Sequence, residues 1–187
     1  MIDDETAQTI RDALAKRRGY ADSRSWPVDR SLEEYGIAQD FVGAAEGEDG
    51  YPFSDLRRRS RGEDPPDCEA RDCTGRRIAL EVTELVDRAT LEAVVRDELI
   101  QDAKWSREKF VDSLAARLDR KDFGDRFIGG PYDEFLVIIY TAELHLDHDT
   151  AQLAGHHFDL PKTIDRAYLS LDYDPHAKRY PLVRLMW

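Results

Sequence analysis

Pro66-Asp67-Cys68-Glu69-Ala70-Arg71 and Arg77-Ile78-Ala79-Leu80-Glu81-Val82-Thr83 decide how this chain folds. Residues 67–71 and 77–85 both read as strands. Asp72-Cys73-Thr74-Gly75-Arg76 joins them, and Gly75 supplies the permissive backbone that a tight connection needs. The pair therefore predicts a β-hairpin. Alternate side chains on a strand face opposite sides. Ile78, Leu80 and Val82 share one face, and Ala79, Glu81 and Thr83 share the other.

Upstream of the hairpin, residues 31–42 predict a helix with Ser31 as cap and Glu34 in capping-box register. Residues 4–18 predict another, from the stripe Ala7, Ile10, Ala13 and Leu14, and residues 19–30 read as a loop. Residues 43–66, rich in glycine and proline, read as an exposed loop or a loop with one short strand. Downstream, residues 88–103 are helical at least in part. Residues 106–121 form a clearer helix, with Ser106 as cap and Phe110, Leu114, Ala115 and Leu118 on one stripe. Gly129-Gly130-Pro131 breaks the chain. Phe135-Leu136-Val137-Ile138-Ile139-Tyr140 is apolar on both faces and reads as a buried central strand. After a short polar or helical segment at 147–157, residues 165–172 and 180–186 predict a closing hairpin across Asp174-Pro175-His176. This order indicates one mixed α/β or α+β domain built on a single sheet.

The hairpin carries Asp67 on its first strand and Glu81 on its second. Neighbouring strands lie about 4.8 Å apart, so two such acids come within reach of one hard cation. Mg²⁺ suits a pair of carboxylates completed by a backbone carbonyl, waters and phosphate oxygens. Glu69, two residues from Asp67, faces the same side and is a candidate further ligand. Like charges on one strand face repel, and a cation removes the repulsion. The competing reading is that Arg76, Arg77 or another base pairs with the acids, or that water covers them.

Pro66-Asp67, a turn, and then Ile78-Ala79-Leu80-Glu81-Val82-Thr83 resemble the core motif of the PD-(D/E)XK nuclease superfamily. In that superfamily Pro-Asp opens one strand. The next strand carries Asp or Glu, any residue, then usually Lys. The order of helix, hairpin, helix and apolar strand is also similar. The resemblance covers residues 31–141, with 1–30 and 142–187 as elaborations of a single domain spanning 1–187. It implies a restriction-endonuclease-like central mixed sheet flanked by helices, here with a C-terminal β-hairpin extension.

By that resemblance Asp67 and Glu81 bind Mg²⁺ or Mn²⁺, with the carbonyl of Val82 as a third ligand. Glu34 matches the extra acid that many members place on the preceding helix, and Glu33 competes for that place. Thr83 departs from the pattern, because it stands where the lysine is usual. Some members supply this lysine from the following helix, for which Lys104 and Lys109 are the candidates. The resemblance implies hydrolysis of DNA phosphodiesters by a metal-activated water. By analogy it also implies a bacterial defence, mobile-element or toxin system with a protein partner, and a homodimer where both strands are cut. Thr83 equally suits an inactive relative that only binds nucleic acid or protein.

The formal charge of −12, from 39 acids and 27 bases, argues against broad nonspecific binding to phosphate backbones. It also keeps open a third class, a small interaction protein whose acidic surface meets a basic partner. The bases are clustered, however. Arg57, Arg58 and Arg59, with Arg61, precede the hairpin and are candidates for substrate phosphate contact. His145, His148, His156 and His157 form a loose cluster with a weak zinc signal. Cys68 and Cys73 are too few for a disulfide framework and read as free thiols. Trp26, Trp105 and Trp187 read as packing residues, with base stacking open to Trp26 and Tyr51. No apolar run reaches the roughly 20 residues of a membrane helix. The N-terminus lacks a signal peptide's apolar core. The chain is therefore expected in the cytoplasm.

Overall fold

The computed structural model describes residues 30–48, 52–60, 62–89, 92, 96, 105–123, 126–141, 143, 146, 156–174, 176 and 178–187. The helix expected at 4–18 lies outside the described residues, as do most of 88–103 and all of the loop expected at 19–30 except Arg30, which begins a helix. So do Trp26, Tyr51, Arg61, Lys104, His145 and His148.

The chain is a mixed α+β structure. Its described elements are α1 (Arg30–Glu48), β1 (Phe53–Arg58), β2 (Cys68–Asp72), β3 (Arg77–Glu84), α2 (Arg107–Lys121), β4 (Glu134–Tyr140), β5 (Arg166–Ser170) and β6 (Leu182–Leu185). The strands form one six-stranded sheet in the order β1-β2-β3-β4-β5-β6. β3, β4 and β5 run parallel, while β1-β2, β2-β3 and β5-β6 are antiparallel.

The hairpin forms as its sequence demands. Cys68 pairs with Leu80 and Ala70 with Ile78. The Asp72 carboxylate caps the turn, accepting from the Thr74 N–H at 2.8 Å, the Arg76 N–H at 2.9 Å and the Arg76 Nε at 2.7 Å. Gly75 holds φ at +85°, with open space where a Cβ would sit. Gly75→Ala therefore meets no clash and costs only the backbone penalty of that region, about 1–2 kcal/mol. Chemical denaturation should report a lower midpoint with an unchanged slope.

Each face of the sheet carries its own core. Ile78, Leu80 and Val82 meet Ile37, Ala38 and Phe41 of α1. Ala79, Val137 and Ile139 meet Phe110, Leu114 and Leu118 of α2. β4 is buried along its whole length, because helices cover both of its faces. Ser106 caps α2 by accepting from the Lys109 N–H.

Two expectations change, and for 43–66 the alternative with one short strand holds. The first helix runs to Glu48 rather than ending near 42, because Ala45 still packs on the sheet. Ser31 lies inside that helix, and Glu34 pairs with Arg30 instead of closing a capping box. The stretch 43–66 contains the edge strand β1, whose register shifts between Ser54 and Arg57 around Asp55 at φ 52°. That irregularity and its arginines blunt the edge against pairing with another chain. No described helix is long and apolar enough to cross a membrane.

Candidate metal centre

β2 begins at Cys68, opposite Leu80, whereas β3 continues to Glu84. The far end of β3 therefore has no β2 ladder beside it, and its polar backbone needs another partner. Asp67 supplies one, since its Oδ2 accepts from the Val82 N–H at 2.8 Å. A strand residue's N–H and C=O leave on the same side in such pairing, so the Val82 carbonyl also faces this gap.

Alternation puts Glu81 on the α2 face of the sheet, beside Ala79. Ligand oxygens of Asp64, Asp67 and Glu81 all lie within 4.8 Å of one another. The Glu81 side chain is 1% exposed and that of Asp67 7%. Glu81 Oε1 is buried and has no hydrogen-bond donor among the described residues. Its other oxygen is in contact with the Lys121 ammonium, which stands 3.9 Å from Asp67 Oδ2. Glu34 and Arg30 of α1 line the same cleft, which encloses about 550 Å³.

Burial pushes the Glu81 carboxyl up to about 8, and the Asp67 charge adds to the effect. Burial and then Asp67 raise Glu34 to about 7. Burial also raises Asp67, against the opposing pull of Lys121 and the Val82 N–H. Burial, more than like charge, thus makes the carboxyls of this cleft hold their protons. Groups with raised folded values bind extra protons in the folded chain between their ordinary value and the raised one. Stability must then fall as pH rises through that window. The metal-free protein should melt several degrees lower at about pH 8.5 than at about pH 6. Mg²⁺ should restore more of the melting temperature at the higher pH. Equal melting temperatures at both values, with and without Mg²⁺, would refute this.

The other candidates are placed as follows. Glu34 faces the cleft, whereas Glu33 accepts from the Tyr140 hydroxyl at 3.2 Å. Thr83 is half-buried and does not line the cleft. Lys109 is paired with Asp87 in a separate cleft, so the lysine beside the acids is Lys121, which the sequence reading missed. Asp64 was missed as well. Arg76 pairs with Asp72 and Glu134, not with Asp67 or Glu81.

Glu69 shares the Glu81 face but is committed elsewhere. It pairs with Arg57, with Arg59 at 2.9 Å and with Arg77 at 3.0 Å, and it accepts from the Tyr132 hydroxyl at 3.0 Å. Burial raises its carboxyl, but those donors outweigh burial and hold it below the usual range. Arg59 is buried and also donates to the Ile128 carbonyl at 2.7 Å. Arg57 keeps 64% of its side chain exposed, and Arg58 is exposed too. Cys68 is a buried free thiol and Cys73 an exposed one. His156 stacks edge-on against Phe158, while His157 bridges to Met186. Trp105 and Trp187 pack against the α2-side core.

No family model matches the sequence, and no curated protein or solved structure matches it.

Proposed function

We propose that this protein is a metal-dependent nuclease of the restriction-endonuclease-like fold, hydrolysing phosphodiester bonds of DNA. One observation carries the reading: carboxylate oxygens of Asp64, Asp67 and Glu81 converge within 4.8 Å of one another, and Glu81 also keeps a buried oxygen, Oε1, with no donor among the described residues. Leaving such an atom unpaired is costly, and a hard cation satisfies it. The oxygen-only donor set suits Mg²⁺ or Mn²⁺ better than zinc. The order of α1, hairpin, α2 and β4 supports the fold assignment.

Asp67 and Glu81 would hold the ion, with Asp64 and the Val82 carbonyl beside them. When bound, the ion polarises the phosphodiester and lowers the pKa of a coordinated water. Lys121 supplies from α2 the positive charge that Thr83 lacks. Glu34 faces the same cleft and would serve there as a general base. The exposed Arg57 and Arg58 offer phosphate contacts on the neighbouring strand.

The test incubates the purified chain with duplex and single-stranded DNA, and with RNA, under Mg²⁺, Mn²⁺ or EDTA. Cleavage of DNA with either metal and none with EDTA is expected. Absence of cleavage on every substrate, together with no metal uptake by calorimetry, would end this reading. Salt-sensitive capture of a basic protein that persists in Asp67→Ala and Glu81→Ala would favour an interaction module instead.

A further inference from the structure

We infer that Lys121 is the resident counter-ion of the metal-free cleft, and that its ammonium must leave the Asp67–Glu81 pair before a divalent cation can enter. This rests on the nuclease reading and deepens it. The ammonium touches Glu81 Oε2 and lies 3.9 Å from Asp67 Oδ2, so it occupies ground the two carboxylates would offer a metal. It does this incompletely. Glu81 Oε1, on the same buried carboxylate, receives no donor from it or from any other described residue.

One ammonium carries a single charge, while a divalent ion brings two to the three carboxyl groups of Asp64, Asp67 and Glu81. A divalent ion at their centre would sit against the ammonium at close range, and like charges so near in a poorly solvated cleft repel strongly. The side chain has somewhere to go. Lys121 is the last residue of α2, its side chain is 20% exposed, and it acts electrostatically on Glu34 across the cleft. Swinging from Glu81 toward Glu34 needs only rotation of a flexible four-carbon stem. The displacement carries a consequence for affinity. Part of the attraction for the incoming ion is spent on evicting the lysine, so metal binding is weaker than the acids alone would give.

Calorimetric titration of Mn²⁺ into the full chain tests this, with Lys121→Met, Lys121→Gln and Lys109→Met beside the wild type. Both Lys121 variants should bind Mn²⁺ about tenfold more tightly or better. In EDTA they should melt below the wild type, and saturating Mn²⁺ should close that gap. Lys109→Met, which removes a charge from the other cleft, should change affinity less than about twofold. Unchanged or weaker binding by both Lys121 variants overturns the inference, as does equal tightening by Lys109→Met. Failure of both Lys121 variants to fold even in saturating Mn²⁺ also overturns it, because the ion should then replace the ammonium. If the wild type binds Mn²⁺ and Asp67→Asn abolishes that binding while the Lys121 variants match the wild type, only this inference falls. If no variant and no wild type takes up Mn²⁺, the nuclease reading falls with it.

Discussion

In the proposed reading, Glu81→Gln and Asp67→Asn should each lower DNA cleavage by about 10³-fold or more, the scale expected when transition-state charge loses its main stabiliser. Stability should move the other way for Glu81→Gln. The native carboxyl is buried at 1% exposure and pushed up to about 8, so at alkaline pH the fold carries an ionised group it disfavours. An amide of the same shape removes that burden. In EDTA at about pH 8.5 the variant should therefore melt at or above the wild type, and Mn²⁺ should no longer raise its melting temperature. Asp67→Asn differs in one respect, because the Val82 N–H loses a charged acceptor and must settle for a neutral one. A Glu81→Gln enzyme that keeps a tenth of wild-type activity would sink the assignment of Glu81. So would a variant that stays inactive while still gaining stability from Mn²⁺.

Glu69→Ala is the substitution with the largest expected effect on folding. It strands Arg57, Arg59 and Arg77 together and removes the acceptor of the Tyr132 hydroxyl. Breaking a buried ion pair by deleting one partner costs about 3–5 kcal/mol, because the remaining charge is left uncompensated. Arg59 is the arginine that matters most, since it is buried whereas Arg57 is exposed. Equilibrium unfolding in urea measures the loss directly. A loss below about 1 kcal/mol would mean that the surrounding arginines reach water freely. The same carboxyl predicts acid sensitivity. Its folded value is held below the ordinary one, so its contribution is present above the ordinary value and disappears as pH falls through the depressed one.

The parts of this structure that were legible in sequence are those governed by local periodicity. The hairpin, its faces, the α2 stripe, the doubly buried β4 and the closing hairpin all follow from alternation or from a 3.6-residue repeat. The choice between Glu33 and Glu34 was not legible, because adjacent helix residues differ by only about 100°. Lys121 lay 40 residues from Glu81, beyond any local signal. Topology held the clue. A crossover helix between parallel strands runs back along the sheet. Lys109 to Lys121 spans about 18 Å of helix, and Asp87 back to Glu81 spans about 20 Å of extended chain. Once Lys109 pairs with Asp87, Lys121 must fall near Glu81. Asp64 escaped because it sits in irregular chain before β2, where no period applies. Glu69 was read correctly for its face, and of its two readings the pairing with Arg77 or another base is the one that holds, with Arg57 of β1 and Arg59 just beyond it joining Arg77 of β3.

β3 outruns β2, and the notch this leaves opens the sheet to both of its layers at once. Glu34 reaches the notch from α1 and Lys121 from α2, on opposite sides of the sheet. In the proposed reading the cleft is therefore a rivet between two cores that otherwise share only the strands. A chain with one helix docked would present an incomplete set of charges, and it would hold an ion poorly. Only the fully assembled domain would be armed, so a half-folded nascent chain could not cut the nucleic acid around it.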